Sequence, residues 1–150
     1  MAVMTSAGST LHIATGVPTT YDQAGFEAVG LTYVAIGEIT DLGEFGTEYS
    51  VVNHTALGQR QTKKYKGSYN NGSLQLQMAR DTDDAGQTAL RDALDSDDSY
   101  TFKVTLQDGT KAYFTGKVMS YRTSVGSVDQ ITGATTTVEL DSEIVEVAAA

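Results

Sequence analysis

The chain has no cysteine among its 150 residues. Disulfides, thiolate metal sites and thiol nucleophiles are thereby excluded, and nothing reports the redox state of its compartment. No run approaches the ~18 apolar residues of a membrane-spanning helix. The N-terminal MAVMTSAGSTLHIATGVPTT lacks the basic start and unbroken apolar core of a secretory signal, so a soluble, cytoplasmic product is expected. Positive charge is scarce: ten Lys and Arg stand against nineteen Asp and Glu, a formal net charge of −9. Such a chain repels phosphate at long range, and specific duplex binding, which normally uses a broad basic face, is disfavoured.

Groups able to do chemistry are equally few. No serine sits in a nucleophile-elbow pattern, and His12 and His54 are the only histidines. His12 falls in a stretch without periodicity, and His54 reads as a surface or interface side chain at a strand end. Asp81, Asp83, Gly86 and Asp92 only faintly match a calcium loop: the fifth position is Ala85 and the last ligand would be Asp. Acidic caps at a helix N-terminus explain the same residues better. No phosphate-cradling or dinucleotide glycine fingerprint is present. The reading is no enzyme, with no catalytic, cofactor-binding or metal-binding residue and no cofactor assigned.

What is there is β pattern. Residues 1–30 are Gly-, Ser-, Thr- and Ala-rich, hold the only proline, Pro18, and show neither strand nor helix period; they are expected to form an extended N-terminal arm. A single domain is expected over 31–147, with 148–150 as a tail. In LTYVAIGEITDL, Val34 and Ile36 alternate until Gly37, after which Ile39 changes parity, so a bulge at Gly37 is predicted. A long polar loop is expected over about 43–72, with one strand from Glu48 to Asn53.

From Ser73 the alternation sharpens, with Leu74, Leu76 and Met78 inward. The period then switches: Ala85, Ala89, Leu90, Ala93 and Leu94 share a helical stripe, predicting a helix over about 82–94 whose start is capped from Asp81–Asp84. SYTFKVTLQDGTKAYFTGKVMSY is a hairpin. A three-residue loop, Gln107-Asp108-Gly109, pairs Phe102 with Phe114, Val104 with Ala112 and Tyr100 with Gly116; a two-residue loop would mix the faces. Thr101, Lys103, Thr105, Lys111, Tyr113 and Thr115 then occupy the other face. ITGATTTVELDSEIVEV adds a strand with Val138 and Leu140 inward and a continuation through Val145 and Val147. The fold class expected is mainly β, an antiparallel β-sandwich or barrel with one short flanking helix.

One stretch resists this bland account. GQRQTKKYKG, residues 58–67, gathers Arg60, Lys63, Lys64 and Lys66 around Tyr65 in an acidic protein. The segment is either a solvated polar loop, a single-strand nucleic-acid contact with Tyr65 stacked on a base, or a cationic element that reaches the acidic surface of another copy. The third suits the surrounding charge best.

The order of elements resembles the major tail tube proteins of long-tailed, siphovirus-like bacteriophages. The likeness runs from about Tyr33 to Leu140 and rests on AIGEITDLGEFG, the long polar loop, GSLQLQMARDTDDAGQTALRDAL, the hairpin with FTGKVMSY (Phe114 to Tyr121), and SVDQITGATTTVELDSEI. The resemblance implies a structural virion protein of the tail that self-assembles in the host cytoplasm into hexameric rings stacked as a tube. DNA would pass through the lumen without specific binding. Neighbours' strands would join into a barrel around that lumen, with the long loop and the arm gripping the next ring. Its implied partners are itself and the tail terminator, baseplate and tape-measure proteins, with no membrane. Arg60, Lys63, Lys64, Tyr65 and Lys66 are then suspected inter-subunit residues. A terminator or head–tail connector ring of the same tail, or an acidic β-sandwich ligand-binding module, are the alternative readings.

Overall fold

The computed structural model describes residues 3–28 and 30–148. Of the expected arm, Met1, Ala2 and Val29 lie outside the described residues, as do Ala149 and Ala150 of the expected tail. In chain order the elements are β1 (Thr10–Ala14), α1 (Gln23–Phe26), β2 (Val34–Ala35), β3 (Ile39–Asp41), β4 (Glu48–His54), β5 (Lys63–Asn70), β6 (Ser73–Ala79), α2 (Ala85–Leu94), β7 (Tyr100–Thr105), β8 (Lys111–Ser124), β9 (Gly133–Leu140) and β10 (Val145–Val147).

The alternating stretches build the main sheet, ordered β2-β1-β7-β8-β9-β6-β3 with β10 paired to β8; all pairs are antiparallel. The β7–β8 hairpin has Tyr100 opposite Gly116, Phe102 opposite Phe114 and Val104 opposite Ala112, the register of the three-residue loop. Its turn is closed by Gly109 N–H donating to Leu106 O at 3.0 Å and Leu106 N–H to Thr110 O at 2.8 Å. Gly109 sits at φ 95, in the left-handed region where a Cβ is costly.

The sheet must curl. β2 and β3 stand at its two ends, six interstrand steps apart, which on a flat sheet is roughly 29 Å. Only residues 36–38 separate Ala35 from Ile39 in the chain, and that length reaches at most about 14 Å. The two edges are therefore drawn together into a half-barrel. Residues 36–38 hydrogen-bond to the strands next to both edges: Ile36 N–H donates to Leu11 O of β1 at 2.9 Å, and Ala79 N–H of β6 donates to Glu38 O at 2.8 Å. The predicted bulge at Gly37 is thus a full edge-to-edge crossing, with Glu38 at φ 60.

Helix α2 seals the crossing. Asp84 caps it, accepting from Gln87 N–H at 2.9 Å, and the same carboxylate accepts from Gly37 N–H at 3.0 Å. Gly86 lets the helix approach β2 closely, since a Cβ there would lie 2.2 Å from Ala35 O. Inside the curl Leu11, Ile13, Leu74, Leu76, Leu90, Phe102, Val104, Phe114 and Val138 are fully or nearly fully buried. Phe102 and Phe114 stack with ring centroids 5.7 Å apart. Each such side chain contributes roughly 1.5–3 kcal/mol by leaving water.

Two expectations need correction here. The segment 1–30 is not an arm throughout: Thr10–Ala14 is a strand paired with β7, with Leu11 and Ile13 in the core. Its five residues are too few to display a period amid small polar neighbours, yet the backbone of β7 completes the ladder. The segment after it then crosses the second face of the sheet. Asp22 caps the four-residue α1 through Gly25 N–H, and Phe26 stacks on Tyr113 at 5.4 Å. Thr101, Tyr113 and Thr115, expected on an exposed face, are therefore buried.

The second correction concerns 43–72. It holds a two-stranded sheet, β4 with β5, and the second half of the basic decapeptide, from Lys63 on, is strand rather than loop. The strand expected from Glu48 to Asn53 runs one residue further, to His54.

Candidate assembly surfaces

Three features of this chain are left without a covering layer or a strand partner among the described residues. The first is the β4–β5 hairpin. Lys63 stands opposite His54, Lys64 opposite Asn53, Tyr65 opposite Val52 and Lys66 opposite Val51. Arg60 lies in the turn segment before β5, and all five suspected residues are exposed. Val52 and Tyr65 share one face; Tyr49, Val51, Lys66 and Tyr69 share the other, where Lys66 Nζ lies 4.9 Å from the centre of the Tyr49 ring.

Both faces carry apolar groups in water, Val51 at 62%, Val52 at 50% and Tyr65 at 55% exposure. The Tyr69 hydroxyl donates to the Glu143 carboxylate, tying the base of the hairpin to the body. Beyond that base no layer of the described residues backs it, and an isolated two-stranded hairpin is marginally stable in water. Among the described residues the one ion pair is Lys117 with Asp141, so none of the hairpin's cations has a carboxylate of a described residue within 4.0 Å.

The second feature is a pair of open strand edges. β8 pairs with β7 only as far as Gly116, while its partner on the other side continues to Ser124. Among the described residues Lys117–Ser124 therefore has no strand on its β7 side. At the far end β3 pairs only with β6. A four-strand face, β8-β9-β6-β3, thus lies between two free edges, a state that single-chain proteins usually avoid.

The third feature is the uncovered side of that same face. α1 and its flanks cover the part over Tyr113 and Thr115, but not the part formed by Gln75, Gln77, Thr135 and Glu139, all exposed. Hydroxyls and amides dominate it. Lys117 and Arg122 are its cations, and Lys117 is paired with Asp141 at 2.9 Å. Burial pushes the Asp141 carboxyl up, but hydrogen bonds from Ser99, Thr115 and Lys117 together outweigh it and hold the group below the usual carboxylate value.

Histidine chemistry finds no place here. His54 is exposed at the end of β4. His12 lies on β1 between Ala35 and Lys103, and burial, with Lys103 beside it, lowers its pKa. Asp81 and Asp84, considered in the calcium motif and as caps, serve backbone N–H groups of Asp83, Gly37 and Gln87.

Sequence reasoning missed Gln87. It is fully buried and makes four hydrogen bonds: Nε2 donates to Gly37 O at 3.1 Å and Ala79 O at 2.9 Å, while Oε1 accepts from Asp81 N–H at 3.0 Å and the Tyr121 hydroxyl at 3.1 Å. A glutamine on the apolar stripe of a short helix is the signal that was available. The strand β5 was also missed, although Tyr65 and Tyr69 are β-formers, which the structure sets opposite Val52 and Tyr49.

Compared with known proteins, the chain matches the phage tail tube protein family, TTP, over residues 3–149. No curated protein matches it closely in sequence. Among solved structures it is similar to the sheath/tube terminator of PVC, an extracellular contractile injection system, in the extended state. The TM-score is 0.70 at 8% identity, covering 99% of each chain. It is similar to a chain of the anti-feeding prophage baseplate, TM-score 0.67 at 10% identity, covering 99% of this chain and 97% of that one. It also resembles the SPP1 tail tube, TM-score 0.62 at 12% identity, covering 92% of this chain and 75% of that one. These likenesses establish a shared fold.

Proposed function

Since the chain belongs to the phage tail tube protein family, a structural and non-enzymatic family of the virion tail, we propose that it assembles as hexameric rings stacked into the tube through which DNA leaves the particle. The observation that carries this reading is the four-strand face with a free edge on each side. Copies that pair Lys117–Ser124 of one chain with β3 of the next use both edges up, and a closed ring leaves none exposed. Six copies of four strands, spaced about 4.8 Å, enclose a bore roughly 37 Å across between backbones, wide enough for duplex DNA once side chains are in place.

The hydroxyl and amide side chains of Gln75, Gln77, Thr135 and Thr137 suit the wall of such a bore. Sequence-independent affinity for DNA comes from Lys and Arg at phosphates, and a wall with few free cations lets the duplex slide. Assembly in the host cytoplasm, with terminator, baseplate and tape-measure proteins as tail partners, accords with this role. Arg60, Lys63, Lys64, Tyr65 and Lys66 on the projecting hairpin contact carboxylates of an adjacent subunit or ring, where complementary charge sets register and speeds encounter.

Electron microscopy of the purified chain at rising concentration tests the proposal. Long tubes of uniform width are expected. Single rings that never stack would mean a terminator or connector instead, and a monomer that binds oligonucleotides in a salt-dependent way would mean a ligand-binding module.

A further inference from the structure

The two free edges of the four-strand face differ in charge. Along β8 from Lys117 to Ser124 stand Lys117 and Arg122 and no carboxylate. Arg80 Nη1 donates to Thr123 Oγ1 at 2.7 Å and brings a further cation to the same margin. At the other edge, residues 38–44 hold Glu38, Asp41 and Glu44 and no Lys or Arg. These three residues are exposed, as is Arg122. Lys117 is already paired with Asp141, whereas Arg122 and the three carboxylates have no opposite charge of a described residue within 4.0 Å.

Strand pairing places these charges on one line. Asp41 stands opposite Gln77, Gln77 opposite Thr135 and Thr135 opposite Arg122, so a single row across the uncovered side begins with an anion at one margin and ends with a cation at the other. All three steps are antiparallel, so β3 and β8 run in opposite senses. Copies related by rotation about a ring axis therefore bring β8 of one against β3 of the next as an antiparallel pair. Tilted strands stagger such a seam. Glu38 and Glu44 lie to either side of Asp41, so a slip of about 10 Å in either direction still leaves a carboxylate near Arg122. Asp41 is also held in place, one oxygen accepting from Gly43 N–H at 2.7 Å.

The other ways of joining these edges are penalised. β8 against a second β8, or β3 against a second β3, would also be antiparallel and would close a two-fold dimer. The first sets Lys117 and Arg122 of both copies along one seam, and the second does the same with Glu38, Asp41 and Glu44; like charges across neighbouring strands repel.

We propose that Arg122 of one copy pairs with the Glu38, Asp41 and Glu44 margin of the next, and that this asymmetry makes the edges join head to tail, as a ring requires, instead of as self-complementary dimers. The inference rests on the ring contact proposed above and names the residues that give it direction. The pairing also neutralises a cation on the side that faces the bore, leaving less there to hold DNA phosphates.

A mixing experiment tests it. Arg122→Glu makes both margins acidic. Glu38→Lys with Asp41→Asn and Glu44→Lys makes both basic, the asparagine keeping an oxygen for Gly43 N–H. Each variant alone should keep the parent's circular dichroism and sediment as a monomer where the parent forms rings. An equimolar mixture should recover rings, seen by electron microscopy, in which the two chains alternate, shown by native mass spectrometry. Arg122→Gln, which only removes the charge, should slow ring formation about tenfold by light scattering. Rings from either reversed variant alone, a mixture that assembles no better than its parts, or a glutamine variant at the parental rate would overturn the proposal. Failure of the parent chain to form rings at all would instead count against the tube reading itself.

Discussion

Replacing Gln87 by leucine keeps nearly the same volume but removes every hydrogen bond at the junction of α2, the 36–38 crossing and the end of β6. Gly37 O, Ala79 O, Asp81 N–H and the Tyr121 hydroxyl each lose a partner. A buried polar group left unpaired costs about 1–3 kcal/mol, offset in part by the added apolar side chain and by the water that Tyr121 can still reach, so a net loss of about 3–6 kcal/mol is expected. That is a large share of the ~5–15 kcal/mol by which a domain is stable. At roughly 2–4 °C per kcal/mol for a chain of this size, the melting temperature should fall by about 6–24 °C.

The assay is thermal unfolding followed by far-ultraviolet circular dichroism, at a concentration where sedimentation shows a monomer. Gln87→Glu supplies the control. A carboxylate facing two carbonyl oxygens is disfavoured, so its folded pKa must rise above the unfolded value near 4.3. Its stability should then be greatest below about pH 4 and decline as pH rises through the folded value. A leucine variant melting within about 2 °C of the parent, or a glutamate variant indifferent to pH, would refute the role assigned to this side chain.

The remaining expectations concern the sheet, the acid limb and the hairpin. Phe102→Ala should open a cavity against Phe114 and cost about 3–5 kcal/mol; soluble protein with an unchanged melting curve would contradict the packing. The Asp141 carboxyl sits below its usual range, so it stabilises the fold above about pH 4 and that stability is lost as pH falls through the folded value. Asp141→Asn should therefore lower stability at neutral pH and flatten the loss between pH 5 and 3; a parallel acid profile would show that other carboxylates govern it. Converting Lys63, Lys64 and Lys66 to Glu should leave the monomer's circular dichroism intact yet slow assembly at least tenfold in low salt, measured by light scattering. Tubes growing at the parental rate would dismiss the hairpin as an assembly contact.

How much of this was legible in the sequence depended on whether one face alone was buried. The β7–β8 register could be read because Phe102, Val104 and Phe114 have a single parity that a slip would expose. Leu74, Leu76 and Met78 were legible for the same reason. β1 was not: two buried residues, Leu11 and Ile13, are too short a pattern, and its order comes from a neighbour 89 residues on, Phe102 against Ile13. The covered second face was hidden as well, since Tyr113 looks like a solvent residue until Phe26 is placed over it, and Thr115 until its bonds to Asp141 and Ser142 are seen. The basic stretch was visible as composition, but its strand character depends on pairing with Val51 and Val52 across a bulge. Curling, too, is invisible locally. It follows from two strands adjacent in the chain lying six steps apart in the sheet.

β8 divides its length between two tasks, its first half bound to β7 and β10 and its second to β9 alone. A pull directed along this strand strains the rungs joining it to β9 simultaneously, as in a lap joint, instead of unzipping them singly. A shaft made of such members would resist stretching along its strands. Its weak direction would be sideways peeling at the free margin.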